Sequence, residues 1–336
     1  MNQNNLLSNI SLSVYSFGYS AGFLNDKRET AKQYQCLTPR AIAKMSKELG
    51  LGGIEIPLDK YFVDPVNDNL DGFIHEMNEL GVKLIFDLEN FSSKYLKKIS
   101  PYLAGYGSKF IRAKVSRFYG GNRYKYPIYL DDKKDFFKNM DESIEILDDL
   151  DLKILVENHQ DIVVNDIYDL ISKYGQDRIG VNWDIGNSFP SCETPYSFIG
   201  KLGKYIGNVH LKDYKLFSCK EGYIMSRCQL GKGVIDFKKV LKLLSNYGNI
   251  PLTIELGAFN SRVADINNLD YWIHSPGISP NERDHFIKYI NENSSIDGGW
   301  KTPWEMGSTP EELSSIELNE IKNSVNYISK LINERP

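Results

Sequence analysis

The sequence predicts an α/β protein whose parallel strands close into a (β/α)8 barrel, with a long insertion between the last strand and the last helix. Eight short apolar runs, several rich in Val and Ile, have the length and composition of strands buried on both faces. Segments of helical length separate these runs, and eight such units are the number that a (β/α)8 (TIM) barrel requires. The runs cover residues 10–17, 52–58, 82–88, 109–115, 152–158, 178–184, 206–213 and 250–256.

The helical segments carry recognisable start signals. Thr38-Pro39 places a capping residue before a proline at the first helical position, which predicts a helix to about Leu49. An open doubly wound sheet is the alternative, but no GxGxxG follows the first strand, where residues 16–20 read SFGYS. The other predicted helices cover roughly 69–80, 93–104, 132–149, 161–174, 194–203, 236–247 and 310–333.

No low-complexity linker divides the chain, so residues 1–336 are interpreted as a single barrel domain. Residues 257–309 form the insertion within it. Three of the four tryptophans lie there (Trp272, Trp300 and Trp304), which favours an ordered element. Long connections inside compact domains are usually functional, and we expect a lid, with a packing appendage or an oligomer contact as the alternative.

Composition limits the classes of partner. The chain has 40 Lys and Arg against 44 Asp and Glu, a net charge of −4, which argues against a broad basic surface for nucleic acid. No apolar run reaches the ~18 residues of a membrane helix, and the N-terminus lacks a signal-peptide pattern. The four cysteines form no CxxC pair. We therefore expect a cytoplasmic protein without a nucleic-acid or membrane partner.

Four consecutive strands end with an ionisable residue. Glu157, Asp184, His210 and Glu255 lie in or just after otherwise apolar runs. An unpaired charge there is costly, and the carboxyl ends of barrel strands meet at the active-site face. Taken singly, each acid could be a helix cap or an ion-pair member; together, they predict a divalent metal site. Oxygen and nitrogen donors without thiolate suit Mn²⁺, Mg²⁺ or Co²⁺ and also allow Zn²⁺.

These strand ends resemble the sugar phosphate isomerase/epimerase family of the xylose isomerase-like barrel superfamily. That superfamily also holds ketose 3-epimerases, inosose dehydratase and endonuclease IV. The resemblance covers about residues 10–258 and rests on the order of several weak motifs. These are Glu157-Asn158-His159, Asp184-Ile185-Gly186-Asn187, His210-Leu211-Lys212-Asp213, Ile254-Glu255-Leu256-Gly257 and a GxGxxD segment at residues 231–236.

The resemblance implies roles for particular residues. Glu157, Asp184, His210 and Glu255 match the family's metal ligands, and Mn²⁺ is the expected ion. Glu157 and Glu255 also match the acid/base pair that acts on opposite faces of a carbohydrate substrate. Arg227 stands where ketose epimerases place a substrate-contacting arginine. Relatives are often oligomers, so a homo-oligomer is expected.

Four neighbouring positions complete the expected site. Asn187 departs from the family, because many members have a histidine there; asparagine can bind a hydroxyl but cannot act as a base. His159 is expected either to orient Glu157 or to bind a substrate hydroxyl. Lys212 and Asp213 are expected to support the ligands or to form a simple ion pair.

The combined expectation is a metal-dependent isomerase or epimerase of a ketose or keto-sugar derivative. A carboxylate would remove a proton beside a metal-bound carbonyl. The main alternative is a lyase or dehydratase acting on a keto-sugar or 3-keto-glycoside, including C-glycoside cleavage with a small partner subunit. Endonuclease IV-like hydrolysis needs more histidines than the strand ends supply. A non-catalytic barrel subunit is the remaining alternative.

Overall fold

A computed structural model describes residues 7–28, 35–103, 109–116, 126–160, 162–273, 275 and 277–334. Eight parallel strands close into a barrel, which confirms the predicted fold class. Closure occurs where the first barrel strand pairs on one side with the second and on the other with the last. The barrel strands are β1 (Ile10–Ser13), β2 (Gly53–Pro57), β3 (Lys83–Leu88), β4 (Phe110–Ala113), β5 (Lys153–Glu157), β6 (Ile179–Asp184), β7 (Ile206–Leu211) and β10 (Leu252–Ile254).

The helices surround this barrel largely where the sequence predicts them. Thr38 caps the first helix by accepting a hydrogen bond from the backbone N–H of Ala41, and the last helix starts with a capping box between Thr309 and Glu312. In the described part of the chain, no helix has the length and apolarity to cross a membrane. The helices are α1 (Pro39–Glu48), α2 (Leu58–Tyr61), α3 (Leu70–Glu79), α4 (Ser93–Leu103), α5 (Tyr126–Asp141), α6 (Ile144–Leu150), α7 (Val164–Tyr174), α8 (Pro195–Leu202), α9 (Phe237–Leu244), α10 (Leu269–Ile273), α11 (Pro280–Asn293) and α12 (Pro310–Asn333).

One predicted helix is two helices. The sequence predicts a continuous helix over 132–149, but the structure ends α5 at Asp141 and begins α6 at Ile144. At the break, the hydroxyl of Ser143 donates to the backbone carbonyl of Asn139 at 2.6 Å. Such bonds from serine to the preceding turn compete with regular helix geometry.

A second, four-stranded sheet lies beyond the barrel, in the order β11 (Arg262–Ala264), β9 (Gly222–Cys228), β8 (Asp213–Cys219) and β12 (Ser294–Ser295). Its centre is an antiparallel hairpin of β8 (Asp213–Cys219) and β9 (Gly222–Cys228), which was not predicted from the sequence. The insertion supplies the two outer strands, β11 (Arg262–Ala264) and β12 (Ser294–Ser295). These strands of the insertion therefore pack against the hairpin that follows β7.

Asp213 ties the base of this hairpin to the loop before α9. Its buried carboxylate accepts hydrogen bonds from the backbone N–H groups of Gly231 (3.0 Å), Gly233 (2.9 Å) and Ile235 (3.3 Å). Burial raises the pKa of Asp213 to about 6, although these hydrogen bonds oppose the shift. The carboxylate thus occupies the N–H groups of the glycine-rich segment.

We expect Asp213→Ala to lower the free energy of unfolding by about 2–4 kcal/mol, because three partly buried N–H groups lose their acceptor. Urea denaturation followed by circular dichroism measures the loss. Asp236→Ala is the matched control, since it removes only the cap at the start of α9 and should cost about 1 kcal/mol. Equal losses in the two variants would contradict this role for Asp213.

Candidate metal centre and active site

The four strand-end residues meet at the carboxyl end of the barrel. Glu157 and Asp184 end β5 and β6, His210 lies in β7, and Glu255 directly follows β10. All four are buried, and one potential ligand atom from each lies within 4.8 Å of the others. The barrel geometry therefore places three carboxylates and one imidazole around a common point. Their metal-binding and catalytic roles remain predictions.

His210 is oriented by Glu55, which lies in β2. The imidazole Nε2 is 2.9 Å from Oε2 of Glu55, so Nδ1 points to the other side, 3.1 Å from Oε2 of Glu255 and 3.8 Å from Oε1 of Glu157. Among the described residues, this Nδ1 has no hydrogen-bond partner. Burial lowers the pKa of His210, but the charges of Glu55 and Glu255 outweigh it and raise the pKa above its usual value. The environment of Nδ1 therefore favours a cation.

Lys212 bridges two of the carboxylates. Its Nζ donates to Oδ2 of Asp184 at 2.5 Å and to Oε1 of Glu255 at 2.7 Å. Burial raises the pKa of Glu255, but Lys212, His210 and Arg112 outweigh this effect and hold the pKa below its usual value. Glu255 is therefore kept ionised inside the protein.

Arg112 pairs with Glu157 and with a second buried acid. This buried β4 side chain forms ion pairs with Glu157 and, at 2.5 Å, with Oδ1 of Asp87 in β3. The hydroxyl of Tyr15 lies 2.9 Å from the other Asp87 oxygen and 2.8 Å from Glu89. Burial raises the pKa of Asp87 to about 6, although Arg112 opposes the shift. A continuous polar chain thus runs from Tyr15 to Glu157.

The residues present fit a divalent cation. Within this described network, Arg112 and Lys212 pair with four of the five buried carboxylates and Glu55 faces His210, so these two cations offset two of the five carboxylate charges. Buried charge of one sign is unfavourable unless it is paired or coordinates a metal. A span of 4.8 Å between donor atoms suits ligands that each lie ~2.0–2.6 Å from a shared ion. The five carboxylates belong to Glu55, Asp87, Glu157, Asp184 and Glu255.

Asn187 supports two of these carboxylates. Its side-chain Nδ2 donates to Oδ2 of Asp184 at 2.7 Å and to Oε1 of Glu157 at 3.3 Å, and its backbone N–H donates to Asp184. Its Oδ1 accepts from Gln160 at 3.0 Å. Asn187 does not line the cavity at this end of the barrel, so direct substrate contact, which the sequence suggested, remains a prediction.

Arg227 lies apart from the cluster. Its guanidinium pairs with Glu320 at 2.7 Å, donates to the backbone carbonyl of Leu256 and stacks 4.2 Å above Phe259. These contacts tie β9 to α12. The residues lining the cavity do not include Arg227, and its contact with substrate remains a prediction.

The cavity has a volume of about 550 Å³, within the size range of small-ligand sites. Of the four clustered residues, Glu255 lines it, together with Lys212, Arg112 and His159. Burial and the nearby charges of Lys114, Arg112, Lys212 and Arg262 lower the pKa of His159 well below its usual value, so its imidazole is neutral. None of the insertion's tryptophans is among the lining residues.

Sequence reasoning missed three members of the buried network: Glu55, Asp87 and Arg112. Each is a charged residue within the apolar core of a strand in the first half of the barrel, in the runs GGIEIPL, VKLIFDL and KFIRAKV. A charged residue inside an otherwise apolar strand is the same observation that identified the ionisable residues at the ends of the last four barrel strands. Applied to the first four strands, this criterion identifies Glu55, Asp87 and Arg112 as well.

Comparisons with known proteins agree with this architecture. A family model described as xylose isomerase-like TIM barrel matches residues 43–285. A 3-keto-D-glucoside 4-epimerase from E. coli superposes with a TM-score of 0.52 at 15% identity, covering 84% of this chain and 99% of that one. A xylose isomerase domain protein from Planctomyces limnophilus superposes with a TM-score of 0.50 at 13% identity, covering 74% of this chain and 88% of that one. A D-allulose 3-epimerase from Methylomonas sp. has a TM-score of 0.48 at 13% identity, covering 84% of this chain and 96% of that one. No curated protein sequence matches the chain.

We expect Glu55→Gln to weaken divalent-metal affinity by about 10–100-fold, because the partner that fixes the orientation of a ligating histidine is altered. Competition with a chromogenic chelator measures the affinity. Glu76→Gln is the matched control, since Glu76 forms an exposed ion pair with Arg40 away from the cavity. Unchanged affinity in Glu55→Gln would contradict the assignment of His210 as a ligand through Nδ1.

Proposed function

Because the chain belongs to the xylose isomerase-like TIM-barrel family, we propose that it is a divalent-metal-dependent isomerase or epimerase of a ketose or keto-sugar derivative. One observation carries the proposal: Glu157, Asp184, His210 and Glu255 converge within 4.8 Å beside a sugar-sized cavity. Sugar-modifying enzymes are among the structural neighbours, but because their sequence identity to this chain is low, the similarity supports only the fold.

In this proposal, Glu157, Asp184, Glu255 and Nδ1 of His210 hold the metal. The ion, when bound, stabilises the negative charge that develops on a substrate carbonyl oxygen as the neighbouring carbon loses its proton. We propose Mn²⁺, while the same donor set also accepts Mg²⁺, Co²⁺ or Zn²⁺. Lys212, which pairs with Asp184 and Glu255, and Arg112, which pairs with Asp87 and Glu157, would offset part of the negative charge that the ion leaves.

Glu255 is the proposed proton acceptor, because it lines the cavity and is held ionised. Ser13 donates to its Oε2 at 3.2 Å and Lys212 to its Oε1, so its orientation is fixed. Glu157, whose Oε1 lies 3.8 Å from Nδ1 of His210, is the proposed partner that in its carboxylic-acid form would supply the proton returned to carbon. Arg112 and Asn187 hold Glu157 in place.

The lyase alternative shares the first proton transfer and differs in the second step. Loss of a β-substituent would then replace return of the proton to carbon. The tryptophans of the insertion suggested a surface for a large aromatic leaving group, but none of them lines the cavity. The isomerase or epimerase therefore remains the preferred reaction, and product analysis separates the two.

Metal content tests the site directly. We expect about one Mn, Mg, Co or Zn per chain by elemental analysis of the purified protein, and its loss in Glu157→Gln and Asp184→Asn. The exposed Glu76→Gln serves again as the control and should retain the metal. A wild-type protein that is folded by circular dichroism but binds no metal, even after incubation with these ions, would contradict the proposal.

Hydrogen exchange tests the chemistry. We expect the metal-loaded protein to incorporate solvent deuterium at the carbon beside the carbonyl of a ketose or 3-keto-glycoside. NMR measures this incorporation. Glu255→Gln should slow this exchange by about 100-fold or more, because the base is lost. Lys232→Met, an exposed change outside the cavity, should leave the rate unchanged. An unsaturated product would favour the lyase, and no exchange across the panel would contradict both reactions.

A further inference from the structure

We propose that Tyr15 is a further catalytic residue of this site, and that its hydroxyl, held between the carboxylates of Asp87 and Glu89, moves a proton between two neighbouring oxygens of the substrate. The inference rests on the proposed function, which assigns the carbon-bound proton to Glu255 and Glu157. That function leaves the protons on the substrate oxygens without a carrier. Tyr15, Glu89 and Glu255 line the same cavity.

Two acids share the hydroxyl of Tyr15. Its oxygen lies 2.9 Å from Oδ2 of Asp87 and 2.8 Å from Oε1 of Glu89. A phenol has one proton and can also accept a hydrogen bond, so it donates to one carboxylate at a time. The other carboxylate oxygen then faces the phenol oxygen at hydrogen-bond distance without a proton between them. These three residues, the tyrosine relay, therefore have a place for one more proton than the tyrosine carries.

The two carboxylates of the tyrosine relay differ in their surroundings. Asp87 is buried, and its other oxygen pairs with Arg112, which fixes the inner end of the relay. Glu89 is partly exposed and lines the cavity, so it forms the outer end. Burial and the charge of Asp87 raise the pKa of Tyr15 well above its usual value, so the phenol stays protonated. Tyr15 is therefore suited to pass a proton on rather than to persist as a phenolate.

Tyr15 is connected to both carboxylates that are proposed to handle the carbon-bound proton. Its backbone N–H donates to the hydroxyl of Ser13 at 3.3 Å, and that hydroxyl donates to Oε2 of Glu255 at 3.2 Å. The guanidinium of Arg112 lies 5.7 Å from the centre of the Tyr15 ring and pairs with Glu157. The position of the phenol is thus fixed relative to the proposed reaction centre.

The conversion of a ketose to an aldose needs such a relay. When Glu255 removes a proton from C1, the C1–H electron pair forms the C1=C2 bond and the carbonyl pair moves onto O2. Tyr15 then accepts the proton of O1 while it passes its own proton to Glu89, and the reverse transfer delivers a proton to O2. The electron pair left on O1 forms the new carbonyl. The C1=C2 pair takes up the proton that Glu157 supplies at C2.

Epimerisation does not need this transfer, because the carbonyl stays on the same carbon throughout. The tyrosine relay therefore favours a reaction in which the carbonyl moves to the neighbouring carbon. Loss of the relay should leave proton removal by Glu255 in place and should slow only the conversion of one sugar into the other.

Two rates measured in one sample test the inference. The metal-loaded protein is incubated in D2O with D-fructose, D-xylulose or L-ribulose, and NMR follows both deuterium at C1 and the aldose formed. We expect the wild type to form the aldose from at least one of these ketoses. Tyr15→Phe should raise the ratio of exchange to aldose formation by about tenfold or more, because a positioned acid–base group contributes ~10²–10⁴-fold to the step that it serves.

Two further variants complete the test. Glu89→Gln should also raise the ratio, because an amide can hydrogen-bond to the phenol but cannot take up its proton. Tyr95→Phe is the matched control and should leave the ratio unchanged, since it removes a hydroxyl that donates to the backbone carbonyl of Phe62 away from the cavity. Tyr15→Phe keeps the ring that packs 4.6 Å from Phe23, and the partly exposed Glu89 provides the test if that variant fails to fold.

The two proposals fail in different ways. A ratio that is unchanged in Tyr15→Phe and Glu89→Gln overturns the inference, because a merely structural defect lowers both rates together. A wild type that exchanges deuterium but forms no aldose also overturns it, while the proposed function stands. A metal-loaded wild type that neither exchanges deuterium nor forms an aldose contradicts both the proposed function and the role of Tyr15.

Discussion

The concentration of buried carboxylates at the centre of the barrel governs the rest of the site. Glu55, Asp87, Glu157, Asp184 and Glu255 are all at most 4% exposed, and such a group is tolerable only with compensating charge. Arg112, in β4, and Lys212, directly after β7, supply part of it. The cation that the donor set accepts would supply more. The need to neutralise these buried carboxylates therefore determines which side chains lie at the strand ends.

This constraint explains why residues on the first strands matter as much as those on the later ones. Glu55 and Asp87 do not belong to the four-residue donor cluster, but they hold His210 and Arg112 in position. Asn187 acts similarly on Asp184 and Glu157. The closed barrel brings these distant parts of the chain together, so the position of each residue in the cluster depends on several strands at once.

Sequence periodicity was sufficient for the barrel and for the convergence of Glu157, Asp184, His210 and Glu255, because parallel strands of a barrel end on one face. It failed at the hairpin of β8 and β9. Two strand-like runs there are separated by the short connection Lys220-Glu221-Gly222, and a short connection that contains glycine is typical of a hairpin. Because a barrel is expected to have a helix after each strand, these two runs were not interpreted as a hairpin. That Arg262 lines the same cavity as Lys114 could not be predicted, because it depends on how β11 pairs with that hairpin.

The short junction between β7 and β8 has a mechanical consequence. Lys212 alone separates the two strands, and its ammonium is anchored by Asp184 and Glu255. The hairpin is therefore a stiff continuation of β7, and it cannot swing away as a hinged flap without displacing His210 two residues earlier. Small molecules must therefore enter and leave the cavity while this hairpin stays in place.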